Sequence, residues 1–278
     1  TQVQDDAFKN CTQLASVYVD SLEHWLKIRF QPNASNPLSL GAHFYVNEQQ
    51  VTELVLPATT TTVLSAAFYG FTGVTKVTMY GALQTIEDNA FVGCDNLQTV
   101  VNISNLNIVA GNADFGEIAL HAIEVFTLDV STYYIKAFSG TQTNIVLPDL
   151  VKGIQNTAFR GNASIQQIFI PIGVTEIMWN AFQNCSALQT VTFAENSALA
   201  TIGNSAFNSC TSLTSITIPQ GVTYIDWHVF YQCTNLIDVT FLGNVTTIDG
   251  FAFASCSALQ TLQLQSSPSV IGESAFAN

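Results

Sequence analysis

Positive charge is scarce in this chain. Only seven residues are Lys or Arg, against twenty Asp or Glu, and the last of the seven is Arg160. Residues 161–278 therefore carry no cationic side chain apart from what His228 offers. Nucleic-acid binding rests on Lys and Arg neutralising phosphates, and anionic lipid surfaces are recognised by the same charges, so both partners are disfavoured. Long apolar runs are missing as well: none reaches the roughly 18 residues of a membrane-spanning helix, and Thr1–Asp6 lacks the basic and apolar regions of a signal peptide. No Cys-x-x-Cys, His-Glu-x-x-His, Gly-x-Ser-x-Gly or P-loop pattern occurs. What the chain does have is 48% apolar residues with only 10% charged ones. That is enough to build a core, under a surface solvated mainly by Thr, Ser, Asn and Gln. Such a surface suits an extracellular protein.

The apolar residues repeat. Ala-Phe dipeptides end at Phe8, Phe68, Phe91, Phe138, Phe159, Phe182, Phe207, Phe253 and Phe276, and Val229-Phe230 fills the gap in the later series. From Phe159 onward the spacings are 23, 25, 23, 23 and 23 residues, the period of a solenoid. Between Phe207 and Phe230 the apolar positions are Cys210, Leu213, Ile216, Ile218, Val222 and Ile225. The next repeat matches them with Cys233, Leu236, Val239, Phe241, Val245 and Ile248. Alternation around Ile216-Thr217-Ile218 predicts a short strand with one buried face, which Pro219 ends, as Pro171 does two repeats earlier. Each repeat thus reads as a strand, a turn, an extended return and a tight Phe-bearing corner, and only stacked neighbours can bury its apolar face.

The stretch Ala206-Phe207-Asn208-Ser209-Cys210-Thr211-Ser212-Leu213-Thr214-Ser215-Ile216-Thr217-Ile218-Pro219, followed by Gly221-Val222-Thr223-Tyr224-Ile225, resembles the BspA-like leucine-rich-repeat proteins of bacterial and protist cell surfaces. Ser21-Leu22-Glu23-His24-Trp25, Ser35-Asn36-Pro37-Leu38 and Val51-Thr52-Glu53-Leu54 resemble a recurrent insertion of the same family. The resemblance implies adhesion or host interaction and no chemistry. The fold expected is an α/β solenoid, mostly of short parallel strands, wound as a right-handed leucine-rich-repeat superhelix of roughly ten units. Residues 1–278 are read as one domain with irregular segments at 20–50 and 103–136. The first should hold a helix from Ser21, its N-cap, to Ile28, then a loop with Pro32 and Pro37 and a strand at Phe44 to Val46. In the second, Ile118, Ala119, Ala122 and Ile123 would line a helical face. Asp6-Ala7-Phe8 and Ser274-Ala275-Phe276 are corners at the two chain ends, so the expectation is a fragment, or a protomer whose ends neighbours cover.

Candidate chemistry is thin. Cys11, Cys94, Cys185, Cys210, Cys233 and Cys256 each lie three residues after a repeat Phe, where other repeats place Phe71, Thr141 or Asn162. A position that accepts Cys, Phe or Asn is a packing site, so the thiols are expected free and buried, pointing in parallel in a ladder, an orientation that disfavours disulfide geometry. His24, His43, His121 and His228 are scattered. Asp5-Asp6 and Glu87-Asp88 fall in predicted turns, where acidic residues satisfy local hydrogen bonds. No cofactor, metal or enzymatic activity is therefore expected. Sequons occur at Asn10, Asn33, Asn102, Asn162, Asn184 and Asn244, which matter only in a secreted eukaryotic protein. Thr190 and Thr192, Ser215 and Thr217, Asp238 and Thr240, and Thr261 with Gln263 should form a flat outward polar sheet. An ice-like array is conceivable there, but β-propensity accounts for the threonines and Asp238 and Gln263 interrupt the pattern.

Two residues resist a packing explanation. Trp179 and Trp227 both lie two residues after a repeat Ile, Ile177 and Ile225, where other repeats have Asp88, Asn156, Asn204, Gly250 or Glu273. With Tyr224 and Tyr231 nearby they form the candidate partner-binding patch, since aromatics are enriched at binding hot spots. The competing reading has each indole lying flat over a neighbouring corner and shielding it. The function expected is extracellular or cell-surface recognition of a protein or glycan. The alternative is a structural protein that stacks end to end into fibres or arrays.

Overall fold

A computed structural model describes residues 1–31, 35–108 and 124–278. The chain is a β-solenoid of parallel strands, and it divides into two compact units, Thr1–Val130 and Ser131–Asn278. Among the described residues α-helix is limited to the single turn Leu22–Trp25, so the expected α/β class gives way to an almost wholly β one. Short strands leave no length for a helix: a turn of 23 residues spent on a four-residue strand, a two-residue strand and a Phe corner has only connecting bends left.

In the second unit the four-residue strands Gln167–Ile170, Thr190–Phe193, Ser215–Ile218 and Asp238–Phe241 form one parallel sheet, with Asn144–Val146 and Thr261–Gln263 at its edges. A second face carries two-residue strands such as Glu176–Ile177, Thr201–Ile202 and Tyr224–Ile225. The third side is the Phe corner, whose rings stack from turn to turn. Phe182 and Phe207 have centroids 5.2 Å apart and planes 2° from parallel, and Phe207 and Phe230 are 5.6 Å and 4° apart. Ile216, Ile218, Val222, Ile225, Phe230, Cys233 and Leu236 all point inward and are buried, as their periodicity predicts.

The corner has a backbone signature that composition does not reveal. Residues two before and two after the repeat Phe have positive φ: Ser205 and Ser209 about Phe207, His228 and Gln232 about Phe230, Phe251 and Ser255 about Phe253. Left-handed backbone costs a non-glycine residue roughly 1 kcal/mol. It also turns successive N–H groups along the solenoid axis, where Ser205, Phe207 and Ser209 donate to the carbonyls of Trp227, Val229 and Tyr231 at 2.9, 2.9 and 2.8 Å. These bonds offset the strain and lock each corner to the next.

One junction is looser. The spacing of 25 rather than 23 between Phe182 and Phe207 lies in the connection 194–200. Strand Thr190–Phe193 keeps four paired residues with the preceding strand but only two with the following one, Thr190↔Ser215 and Val191↔Ile216. On the second face the ladder stops at Thr201–Ile202, and a separate one begins at Tyr224–Ile225. The shortened strand pairing and the Phe corner carry the array across that junction. Ala194 donates to Ile170 O at 3.0 Å, as Leu242 does to Ile218 O in a regular turn, and the longer connection adds a further backward bond, from Ala198 N–H to Ile172 O at 3.2 Å.

The first unit holds parallel strands Glu53–Val55, Lys76–Met79, Thr99–Asn102 and Glu124–Leu128, and a second pair, Thr62–Val63 with Thr85–Ile86. The expected helix starts at its cap, with Ser21 Oγ accepting from His24 N–H at 3.2 Å. It ends at Trp25 rather than Ile28, because Arg29–Phe30 are drawn into a parallel pair with Gln2–Val3. The strand expected at Phe44 to Val46 runs His43–Val46 and turns back on Gln49–Gln50 through Asn47 and Glu48, both with positive φ. Pro37 opens a 3-10 turn, Pro37–Leu40, instead of a loop. This insertion is pinned by buried polar contacts: Asn36 Nδ2 donates to Ala66 O and Ala67 O at 2.7 and 3.0 Å, and Trp25 Nε1 to Ala67 O at 2.8 Å. Pro32, Asn33 and the helical face proposed for Ile118, Ala119, Ala122 and Ile123 lie outside the described residues.

Candidate functional site

The aromatic patch is positioned by the loop between the two-residue strand and the Phe corner. Trp179 is 61% exposed, Trp227 39% and Tyr224 43%, while Tyr231 is half-buried. Each indole rests on the turn that follows it. A Cβ at Gly203 would lie 2.7 Å from Trp179 Cδ1, and one at Gly250 2.9 Å from Trp227 Cζ3, so absence of a side chain there is what lets each ring lie down. Each ring thus touches the following turn and still keeps part of its surface in water. A depression of about 380 Å³ beside Trp179 is lined by Asn180, Asn204 and Asp226.

Around Trp227 the aromatics interlock. Its ring lies 6.0 Å from that of His228 and 6.1 Å from that of Phe251, the His228 ring stacks on Phe251 at 5.2 Å, and Tyr231 meets His228 edge-on at 5.3 Å. Tyr231 thus belongs to Trp227's support. The Tyr224 hydroxyl donates to Asp249, and that bond, with partial desolvation and the nearby carboxylates, pushes the phenol up to about 12. It stays a neutral donor at physiological pH. Among the described residues no ring cluster surrounds Trp179, and its backbone N–H is held by Asn156 Oδ1 at 3.0 Å.

The other candidates fall into structural roles. Cys94, Cys185, Cys210, Cys233 and Cys256 are free and buried, and each Sγ donates to the carbonyl of the preceding turn's Phe, as Cys233 does to Phe207 at 3.2 Å. That same carbonyl accepts Cys210 N–H at 3.1 Å, so both its lone pairs are used. Burial pushes the thiols of Cys94, Cys185 and Cys256 up to about 12, and those of Cys210 and Cys233 upward too. Cys11 departs from the expectation: it is exposed. Of the sequons, Asn102 is buried and donates to Leu106 O, and Asn162 closes a local turn by accepting from Ser164 and Ile165 N–H. Asn10, Asn184 and Asn244 are exposed. The outward polar rows keep the expected register at Thr190↔Ser215↔Asp238↔Thr261 and Thr217↔Thr240↔Gln263, but Thr192 is not paired with Thr217, where the ladder has stopped. Among the described residues no cluster of His, Cys, Asp and Glu could hold a metal, and no helix is long and apolar enough to cross a membrane.

The sequence pattern of the BspA-type leucine-rich-repeat region, in 6 copies, matches residues 38–164 and 152–278. The chain belongs to this BspA-type family. The comparison with curated proteins returned no match. Among solved structures, this BspA-type chain is similar to a leucine-rich cell-surface protein from Faecalibacterium prausnitzii, at 21% identity and a TM-score of 0.48 over 97% of this chain and 80% of that one. A leucine-rich-repeat protein from Eubacterium ventriosum matches at 20% identity and a TM-score of 0.47 over 100% of this chain and 80% of that one. A leucine-rich-repeat protein of T. pallidum matches at 22% identity and a TM-score of 0.40, over 50% and 77% respectively.

One feature of the BspA-type array escapes a search by residue type. A groove of about 900 Å³ lies on the four-residue-strand sheet where its pairing is cut short, and no motif marks it. Its only trace in the sequence is the single spacing of 25 among spacings of 23.

Proposed function

We propose that this BspA-type chain is a non-enzymatic recognition or adhesion scaffold, displayed outside the cell or on its surface, that binds a protein or glycan through the face bearing Trp179 and Trp227. The observation that carries this reading is the pair of partly exposed indoles, each seated against a glycine of the following turn. A ring already fixed against its own fold loses little entropy when a partner covers it. Tyr224 extends the patch with a neutral hydroxyl donor, and Tyr231 supports it from beneath. The scarcity of cations disfavours nucleic acid and membrane as partners. A right-handed winding, the usual hand of parallel strand–crossover–strand connections, belongs to the same proposal.

Labelled chain applied to arrays of immobilised extracellular proteins and glycans should find a binder, and Trp179→Asn with Trp227→Asn should abolish that binding with little change in thermal stability. Asn204 already occupies the equivalent position, so the fold accepts it. Retention of binding by the double variant, or its unfolding, would make the patch structural and sink the reading. The alternative is end-to-end self-association, and particle size that grows with concentration in light scattering would favour it.

A further inference from the structure

We infer that the groove at the loosened junction is a binding site for a neutral oligosaccharide. The inference rests on the recognition reading but places a ligand on a different face from the tryptophans. The groove exists because the connection 194–200 has two more residues than its counterparts. With that connection tied backward by the added bond to Ile172, the strands Thr190–Phe193 and Ser215–Ile218 pair over only two residues each. The remaining halves of those strands splay, and about 900 Å³ opens between them, within the range of small-ligand sites.

Its lining selects the ligand class. Thr192 and Thr217 stand on the splayed halves with their side chains outward and exposed. Gln220 and Glu195 border the groove from the two flanking connections. Together they present hydroxyl, carboxamide and carboxylate groups, which donate to and accept from sugar hydroxyls. Leu242, 55% exposed, and half-buried Phe193 add apolar surface suited to the C–H faces of a pyranose ring. A phosphate, sulfate or uronate would find no Lys or Arg among the residues that line the groove, and it would meet Glu195. A neutral sugar suffers neither penalty.

The test titrates the full 278-residue chain with malto-, cello-, manno- and chito-oligosaccharides, and separately with oligogalacturonate and a heparin-derived oligosaccharide, by calorimetry. At least one neutral sugar should bind, with an affinity insensitive to salt. Thr217→Tyr, at an exposed strand position where Tyr is well tolerated, should fill the groove and weaken binding by about tenfold or more. Glu195→Gln should weaken it less. Binding only by the acidic sugars, or by none of the six, overturns the inference. So does neutral-sugar binding that survives Thr217→Tyr. If Thr217→Tyr does not fold, Thr192→Tyr decides by the same criterion. Sugar binding lost with Trp179→Asn but kept by the groove variants rejects the groove and leaves the recognition reading standing. A protein bound through the tryptophans with no sugar bound at all does the same.

Discussion

Replacing Phe207 with Ala should be among the most damaging single changes this chain can undergo, and its size follows from the stack. The ring is fully buried and sits between Phe182 at 5.2 Å and Phe230 at 5.6 Å, nearly parallel to both. Truncating a buried Phe to Ala costs about 3–5 kcal/mol, the spread reflecting how far the surroundings collapse into the cavity. Collapse is restricted here, because Phe207 N–H is held to Val229 O at 2.9 Å and Ser209 N–H to Tyr231 O at 2.8 Å, fixing the spacing of adjacent turns. Two stacking contacts are also lost, each worth about 0.5–1.5 kcal/mol beyond area. The expected cost is therefore near the upper end, about 4–5 kcal/mol. At about 2–4 °C per kcal/mol for a body of 150–250 residues, that lowers Tm by roughly 10–20 °C. Trp179 and Trp227 lie in the same unit, so their emission in a urea titration reports it, and Trp179→Asn serves as the exposed-ring control. A loss below about 1.5 kcal/mol for Phe207→Ala, or equal losses for the buried and exposed rings, would refute the view that the Phe stack is the spine of the array.

Four further outcomes follow from the contacts. The five buried thiols have pKa values raised above their unfolded value of about 8.5, so the stability they contribute is complete below that pH and is lost as pH rises toward about 12. Urea titrations should show stability falling by about 1.4 kcal/mol per pH unit for each thiol in that window, whereas a flat profile from pH 8.5 to 10.5 would contradict the burial. In the native state at pH 8 a thiol reagent should label Cys11 alone. Asn36→Ala removes the amide that serves Ala66 O, Ala67 O and Leu38 N–H in a fully buried setting, and should cost about 2–4 kcal/mol by calorimetry. Gly250→Ala places a methyl 2.9 Å from Trp227 Cζ3 and should lift that ring, seen as a red shift in emission; unchanged emission would mean that the indole is not seated there.

The period, the strand positions and the inward residues were all legible in the sequence, because apolar alternation and the recurring Phe report directly which side chains must leave water. Ile216, Ile218 and Phe230 are buried where the alternation and the 23-residue spacing place apolar side chains inward. The exposure of Trp179 and Trp227 was legible for the same reason, since their position accepts Asn, Asp and Gly elsewhere. Three things waited for the tertiary structure. The left-handed residues flanking Phe207, Phe230 and Phe253 have no single residue type, because their strain is offset by hydrogen bonds to the next turn and a local pattern cannot express that partner. The helix from Ser21 stops at Trp25 because Arg29–Phe30 find a strand partner in Gln2–Val3, some 27 residues earlier. The groove arises from two extra residues whose effect depends on which neighbour the connection leans against. That choice is made by backbone hydrogen bonds between turns, and no property of residues 194–200 taken alone contains it.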